Sequence, residues 1–543
     1  MSALPLPAIR PFTLAPDQLA AVRERFMKAW SECLDQARKG SLPPLSDPRF
    51  RDEAWSSSPA HLYAAHVYLL VVRALDELVD AAEVDDDARE RLRFAVMQWV
   101  DALSPANFLI SNPQAQKKAV ETGGLSLLQG MQLLLADLNK GRMSQSDESA
   151  FEVGVNVAAT PGHVVFENPL MQLIQYTPLT DTVWQKPLLM VPPCINKFYI
   201  LDLQAHNSFV RYALEQGFTV FLVSWRNPLP EDSDGIQNAT WGDYLQQGVL
   251  RALDVVSDIS GREQVNALGF CVGGTLLASA LAVAHAQGRR PASTLTLLTS
   301  FLDFSDTGIL DVFVDEASVL RRDLQLGQGG LMPASELAST FSFLRPNELV
   351  WNYVVSSYLL GEAPRPFDLL FWNADSTNLP GPFFAWYFRN AYLENNFIKP
   401  GHLSVDGVPI DLARVDVPAY LYASREDHIV PWESAHATTR ILPDVQRFVL
   451  GASGHVAGVI NPPSRNRRHY WVYDEDKAVT GSESPAQWLE GAPQHQGSWW
   501  PDWAAWLAER SGPRVAAPAQ AGDARYTAIE PAPGRYVKVR AVR

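Results

Sequence analysis

"NALGFCVGGTLLASALAVA", residues 266–284, decides how this chain is read. An apolar run of strand length, VNALGF, meets a helix-length run, TLLASALAVAHA, across Gly269-Phe270-Cys271-Val272-Gly273-Gly274. Glycines at such a junction mark a sharp strand-to-helix turn. The pattern is that of the G-x-S-x-G nucleophile elbow, with cysteine in the serine position. A buried structural cysteine in a Gly-rich turn would give the same letters, because free cysteine is often a small core residue. Partners elsewhere in the chain decide between the two.

An elbow nucleophile needs an acid and then a histidine, in that order, on loops after later strands. "AYLYASREDHIVPW" (419–432) ends a strand with Asp427, and "FVLGASGHVAGVINPP" (448–463) ends another with His455. Alone, Asp427 reads equally as a helix N-cap and His455 as a satisfied turn histidine. Their joint placement favours a triad. Asp303, after "LTSFL", is a rival acid, but Asp427 stands before the last strand, where the acid belongs. His285 and His469 have no matching setting and read as structural or exposed. An oxyanion hole needs the amide after the nucleophile, Val272, and a second amide from "VPPCINKFY" near Cys194 or Ile195, of which Ile195 is preferred. Cys194 itself reads as packing. No P-loop, dinucleotide fingerprint or zinc-type Cys/His cluster occurs, so neither metal nor cofactor is expected.

Further out, residues 1–155 carry apolar positions at three- and four-residue steps and predict a helical N-terminal domain, with Tyr63, Tyr68 and Leu69 on an ordinary helix face. Residues 156–543 alternate short apolar runs (PLLMVPP, FTVFLVSW, VNALGF, STLTLLTS, VPAYLYAS, QRFVLGAS) with helix-like segments. That alternation predicts an α/β domain with a mostly parallel sheet covered by helices, and the elbow within it makes the expected sheet α/β-hydrolase-type. An aromatic-rich stretch at 304–410 without strand rhythm predicts an inserted cap. A Pro-, Ala- and Gly-rich tail from about 511 reads as extended. Trp500, Trp503 and Trp506 fall at helical steps and predict a helix packed on its own domain. With 543 residues and 47% apolar composition the chain can bury a large core. A net charge of -15 disfavours nucleic acid and a basic membrane-binding face. The opening residues lack a secretion signal and no run is long enough to span a bilayer, so a cytoplasmic location is expected. Three cysteines, Cys33, Cys194 and Cys271, predict free thiols.

From about residue 150 onward the chain resembles the polyhydroxyalkanoate synthases, the class I, short-chain type most closely. "GFCVGG", "SREDHIVPW" and "GASGHVAGVINPP" look like the family's nucleophile, acid and histidine motifs. "VPPCINKFYILDL", "FLVSWRNP", "LDFSDTGILDVFVDE", "TFSFLRPNELVWNYVV", "STNLPGP" and "EPAPGRYVK" resemble its intervening and terminal segments, in order. The resemblance implies an acyltransferase that polymerises (R)-3-hydroxyacyl-CoA into polyester through an acyl-Cys271 thioester, with Asp427 and His455 as partners. It further implies that Arg345, Asn395 and His428 lie near the coenzyme A path. Contact with the polyester granule surface and granule-associated proteins, and a homodimer, are implied as well. A thioester at Cys271 keeps the acyl group activated, where serine would give a less reactive oxygen ester. Two rivals stand beside this reading: a cysteine-dependent thioesterase or lactone hydrolase on the same triad, and a catalytically idle granule-coating protein.

Overall fold

The computed structural model describes residue 7, residues 11–473, residue 479 and residues 481–541. The first few residues of the stretch read for a secretion signal lie outside these. Two units divide the chain, one of residues 1–148 and 338–367, the other of residues 149–337 and 368–543.

The first unit is helical, with α1 (Pro16–Arg38), α2 (Pro59–Asp80), α3 (Asp86–Ala102) and α4 (Leu125–Lys140). Proline in the first turn starts α1 and α2, the Asp85 carboxylate caps α3 by accepting from Ala88 N–H, and Gly141 in the left-handed region ends α4. A small core forms around Phe50, Trp55, Ala65 and Ala106. Helix α4 is built inside out: Ser126, Gly130 and Asp137 are buried, while Leu125, Leu128, Met131, Leu134, Leu135 and Leu138 are exposed. Its small and polar face packs on residues 338–367. Gly130 leaves room for the Tyr358 backbone, and Asp137 accepts the Tyr358 hydroxyl at 2.8 Å. The stretch expected to form one cap, 304–410, is therefore divided, its middle belonging with the N-terminal helices.

The second unit is built on an eleven-stranded sheet. Its strands are β1 (Gly162–Glu167), β2 (Met171–Tyr176), β3 (Leu188–Val191), β4 (Val220–Trp225), β5 (Val265–Phe270), β6 (Ala292–Leu298), β7 (Ala419–Ser424), β8 (Val445–Gly451), β9 (His469–Val472), β10 (Gln494–Gln496) and β11 (Glu530–Pro531). The order is β10-β9-β8-β7-β6-β5-β3-β4-β2-β1-β11. From β4 to β8 every pairing is parallel, and antiparallel strands finish both edges. This is the mostly parallel sheet expected from the alternation of apolar runs, of the α/β-hydrolase type expected from the elbow. Strand β5 is buried along its whole length, as a central parallel strand covered on both faces must be. Helix α5 (Val272–Ala286) follows it and is buried to His285. Trp500, Trp503 and Trp506, on the helix Trp500–Arg510, are core residues, with the Trp503 indole donating to Thr296 Oγ1 at 3.2 Å. The chain after residue 511 is extended and lies on this unit: Arg514–Ala516 pairs with Thr182–Trp184, β11 pairs with β1, and the buried Lys197 ammonium donates to the Val539 carbonyl.

Candidate active site

Cys271 occupies the turn between β5 and α5 with φ 53° and ψ -129°, a region that side-chain-bearing residues rarely adopt. The neighbours enforce it. Cys271 N–H donates to the Leu298 carbonyl of β6 at 2.9 Å, and its own carbonyl accepts from Gly274 N–H at 2.8 Å. A Cβ on Gly273 would overlap the Val191 and Pro192 carbonyls, so only glycine lets α5 begin this close to the end of β3. Cys271 is partly exposed, whereas Cys33 and Cys194 are buried and all three are free thiols.

His455 begins a short helix after β8 and is buried. Its Nδ1 lies 2.7 Å from Asp427 Oδ2. The other Asp427 oxygen accepts from the Ile429 and Val430 amides at 2.8 and 2.9 Å, so the carboxylate is fixed by its own loop. Burial disfavours the imidazolium, but the Asp427 carboxylate and the Cys271 side chain outweigh it and raise His455 from its ordinary 6.5 to about 10. The ring also stacks on Phe270, one residue before the cysteine, at 5.7 Å. Asp303 is engaged elsewhere: its Oδ1 accepts from Asn395 Nδ2 and from Ser305 N–H, at 2.8 and 2.9 Å.

Aromatic side chains from residues 381–397 pack on one another and on Trp241 and Phe304. Trp241 stacks on Phe383, Trp386 and Tyr387 with centroids 5.1–5.3 Å apart, and Phe304 meets Tyr387, Tyr392 and Phe397. Burial holds the Tyr387 and Tyr392 hydroxyls above their ordinary range, raised further by Tyr392 in the first case and by the Cys271 side chain in the second.

The second unit thus brings together Cys271, Asp427 and His455, with Val272 at the start of α5 and Ile195 on the loop after β3. Asn395 is held beside β6 by Asp303 and by donation from Phe304 N–H, and His428 adjoins Asp427, partly buried. Arg345 belongs to the first unit, where it pairs with Glu348 at 3.3 Å. Sequence reasoning passed over a group of arginines around the histidine loop. Arg425 lies over Trp471, Arg465 bonds His206, and the Arg468 guanidinium donates to the Ala457 carbonyl. Of nearby carboxylates, Glu426 acts on Arg468. The letters NRRH in so acidic a chain were the available signal. Among the described residues, no cluster of three or more His, Cys, Asp or Glu side chains is placed to hold a metal ion.

Comparison with known proteins agrees with this geometry. The family described as the N-terminus of poly-beta-hydroxybutyrate polymerase (PhaC) matches residues 46–213, and the alpha/beta hydrolase fold family matches residues 187–462. The chain is 56% identical to the poly(3-hydroxyalkanoate) polymerase subunit PhaC of Cupriavidus necator, over 99% of this chain and 91% of that one. It is 40% identical to the subunit of the same name from Rhizobium meliloti, over 95% and 84%, and 40% identical to the poly(3-hydroxyalkanoate) polymerase of Methylorubrum extorquens, over 92% and 82%. With an α/β-hydrolase fold, an elbow cysteine and identity at this level along nearly its whole length, the chain belongs to the poly(3-hydroxyalkanoate) polymerase (PhaC) family.

Proposed function

We propose that the protein polymerises (R)-3-hydroxyacyl-CoA, of short side chain such as 3-hydroxybutyryl-CoA, into polyester through an acyl-Cys271 intermediate. The observation that carries this reading is the Asp427–His455 pair at 2.7 Å beside the elbow cysteine. The Cys271 thiolate attacks the thioester carbonyl, and the amides of Val272 and Ile195 receive the oxyanion. The C–S bond to coenzyme A breaks, and the imidazolium of His455 gives the leaving thiolate its proton. The neutral His455 then takes the proton of an incoming 3-hydroxyl as that oxygen attacks the acyl-Cys271 thioester. An ester forms and the cysteine is freed. Asp427 holds the imidazole and stabilises its cationic form. The aromatic cover excludes water, which would otherwise end the chain as a free acid.

Asn395 and His428, both in the second unit, are proposed to line the coenzyme A path. In a chain of net charge -15 the phosphates need a local cationic surface, and the arginines grouped around the histidine loop, Arg425, Arg465, Arg467 and Arg468, support one there. The reading extends to a cytoplasmic protein bound at polyester granules with granule-associated partners, acting as a homodimer. No helix of the described residues is long and apolar enough to cross a membrane, and the outward leucines of α4 suit an apolar surface. Purified protein given (R)-3-hydroxybutyryl-CoA tests the function. Free thiol and insoluble polyester should appear in step. Thiol with soluble 3-hydroxybutyrate would mark a hydrolase, and no thiol a coating protein.

A further inference from the structure

Thr377 stands behind the loop that follows β3. It is 2% exposed and lies in the stretch STNLPGP, residues 376–382. Its amide donates to the Ile195 carbonyl at 3.0 Å, and its hydroxyl reaches both the Cys194 and the Ile195 carbonyls, the latter at 2.8 Å. One hydroxyl carries one proton, so the two carbonyls share it. In a trans peptide the N–H points opposite to the C=O. Fixing these two carbonyls therefore fixes where the next two amides, of Ile195 and Asn196, can point.

The same strip of chain holds the rest of the loop. Asn196 Nδ2 donates to the Trp372 and Asn373 carbonyls at 3.4 and 3.3 Å, and the Trp372 indole donates to the Lys197 carbonyl at 2.6 Å. The strip is anchored in turn, since Asn378 N–H donates to Asn227 Oδ1 and Asn378 Nδ2 to the Pro228 carbonyl, both at 2.9 Å. The helix on the other side starts against β3, where the Val191 and Pro192 carbonyls leave no space for a side chain on Gly273. The loop is thus set between the nucleophile helix and Thr377.

We propose that Thr377 is a positioning residue for the acyl transfer, its hydroxyl setting the direction of the loop amides that receive the thioester oxyanion. The inference rests on the polymerase reading above. Thr377 makes and breaks no covalent bond and acts only through the peptide planes it holds. Valine at this position keeps the shape and the backbone bond but removes the hydroxyl, leaving the Cys194 carbonyl without it.

Thr377→Val and Thr377→Ser, compared with the unaltered protein in steady-state and single-turnover release of coenzyme A from (R)-3-hydroxybutyryl-CoA, test the assignment. Thr377→Val should lower kcat about ten- to a hundredfold, a fraction of the loss seen when an oxyanion donor is removed outright, with KM within about threefold. Thr377→Ser should return kcat to within about threefold of the unaltered protein. Thr377→Ala, also without the hydroxyl, serves if the valine variant does not fold, and the same loss is expected. Unchanged kcat without the hydroxyl, an equal loss in the serine variant, or a loss confined to KM overturns the inference. Unaltered protein that releases no coenzyme A would instead sink the polymerase reading.

Discussion

Asp427 Oδ2 lies 2.7 Å from His455 Nδ1, a contact between the loops after β7 and β8. The opposite Asp427 oxygen is occupied by two backbone amides of its own loop, so the carboxylate cannot turn away from the ring. This pairing separates the two candidate acids, because the Asp303 carboxylate faces Asn395.

The first consequence is kinetic. An amide in place of the Asp427 carboxylate keeps the shape but loses the charge that sustains the imidazolium. Asp427→Asn should retain a slow first release of coenzyme A and then stall with short chains on the enzyme, at least a hundredfold below the unaltered rate. Asp303→Asn should affect thermal stability more than turnover. Single-turnover acylation followed by chain-length analysis distinguishes them. Normal elongation by Asp427→Asn together with arrest in Asp303→Asn would exchange their roles.

A pH profile follows from the raised His455. With its pKa raised from 6.5 to about 10, the ring keeps its proton in the folded protein up to about pH 10. Any stability from that proton is fully present below 6.5 and is lost as pH rises through about 10. In the mechanism proposed above this ring gives the leaving thiolate its proton, so acylation should fall on the alkaline side. Asp427→Asn, which removes the first of the raising influences, should move that limb to lower pH. The pH dependence of coenzyme A release in a single turnover measures it, and an unmoved limb would detach Asp427 from His455.

The elbow stores backbone strain that can be measured. Cys271 sits at φ 53°, where a residue with a Cβ costs on the order of 1–3 kcal/mol and glycine does not. Both Cys271→Gly and Cys271→Ala should be inactive, but the glycine variant should be the more stable of the two by about 1 kcal/mol in reversible denaturation. An alanine variant of equal or greater stability would show that the turn is unstrained.

Acid stability should depend on His436. This ring is fully buried among Trp432, Phe448 and Trp488, and among the described residues neither of its nitrogens has a hydrogen-bond partner. Burial, helped by Arg440, lowers its pKa from 6.5 to about 4. Above pH 6.5 the ring is neutral in the folded and the unfolded chain alike and adds no pH dependence. As pH falls from there to about 4 the unfolded chain binds the proton more readily, and stability drops by an amount on the order of 3 kcal/mol. His436→Phe should flatten that limb in thermal melts between pH 7 and 4. An identical acid limb in the variant would assign the loss elsewhere.

The sheet and the elbow were legible in the sequence because both follow from short-range rules. Apolar runs such as VNALGF must be buried strands, and glycines at 269, 273 and 274 announce close approach. The choice between Asp427 and Asp303 was legible only as chain order, and it took the 2.7 Å contact with His455 to give it geometry. Residues 338–367 were not legible as part of the first unit, because what joins them to α4 is the absence of a side chain at Gly130 and the Tyr358 hydroxyl donating to the Asp137 carboxylate, signals that carry no periodicity. The outward leucines of α4 likewise repeat at helical steps like any core face, so the sequence pattern has no direction. Thr377 was invisible for a similar reason: its partners are carbonyl oxygens, which every residue has.

The central claim is that Cys271 carries the growing chain as a thioester. Protein quenched during turnover of labelled (R)-3-hydroxybutyryl-CoA, digested at acidic pH and mapped by mass spectrometry, tests it most directly. The account expects acyl groups on the peptide that contains Cys271, absent from Cys271→Ala, with Cys33→Ala and Cys194→Ala labelled much like the unaltered protein. Label on Cys194, or polymer formed by Cys271→Ala, would contradict it.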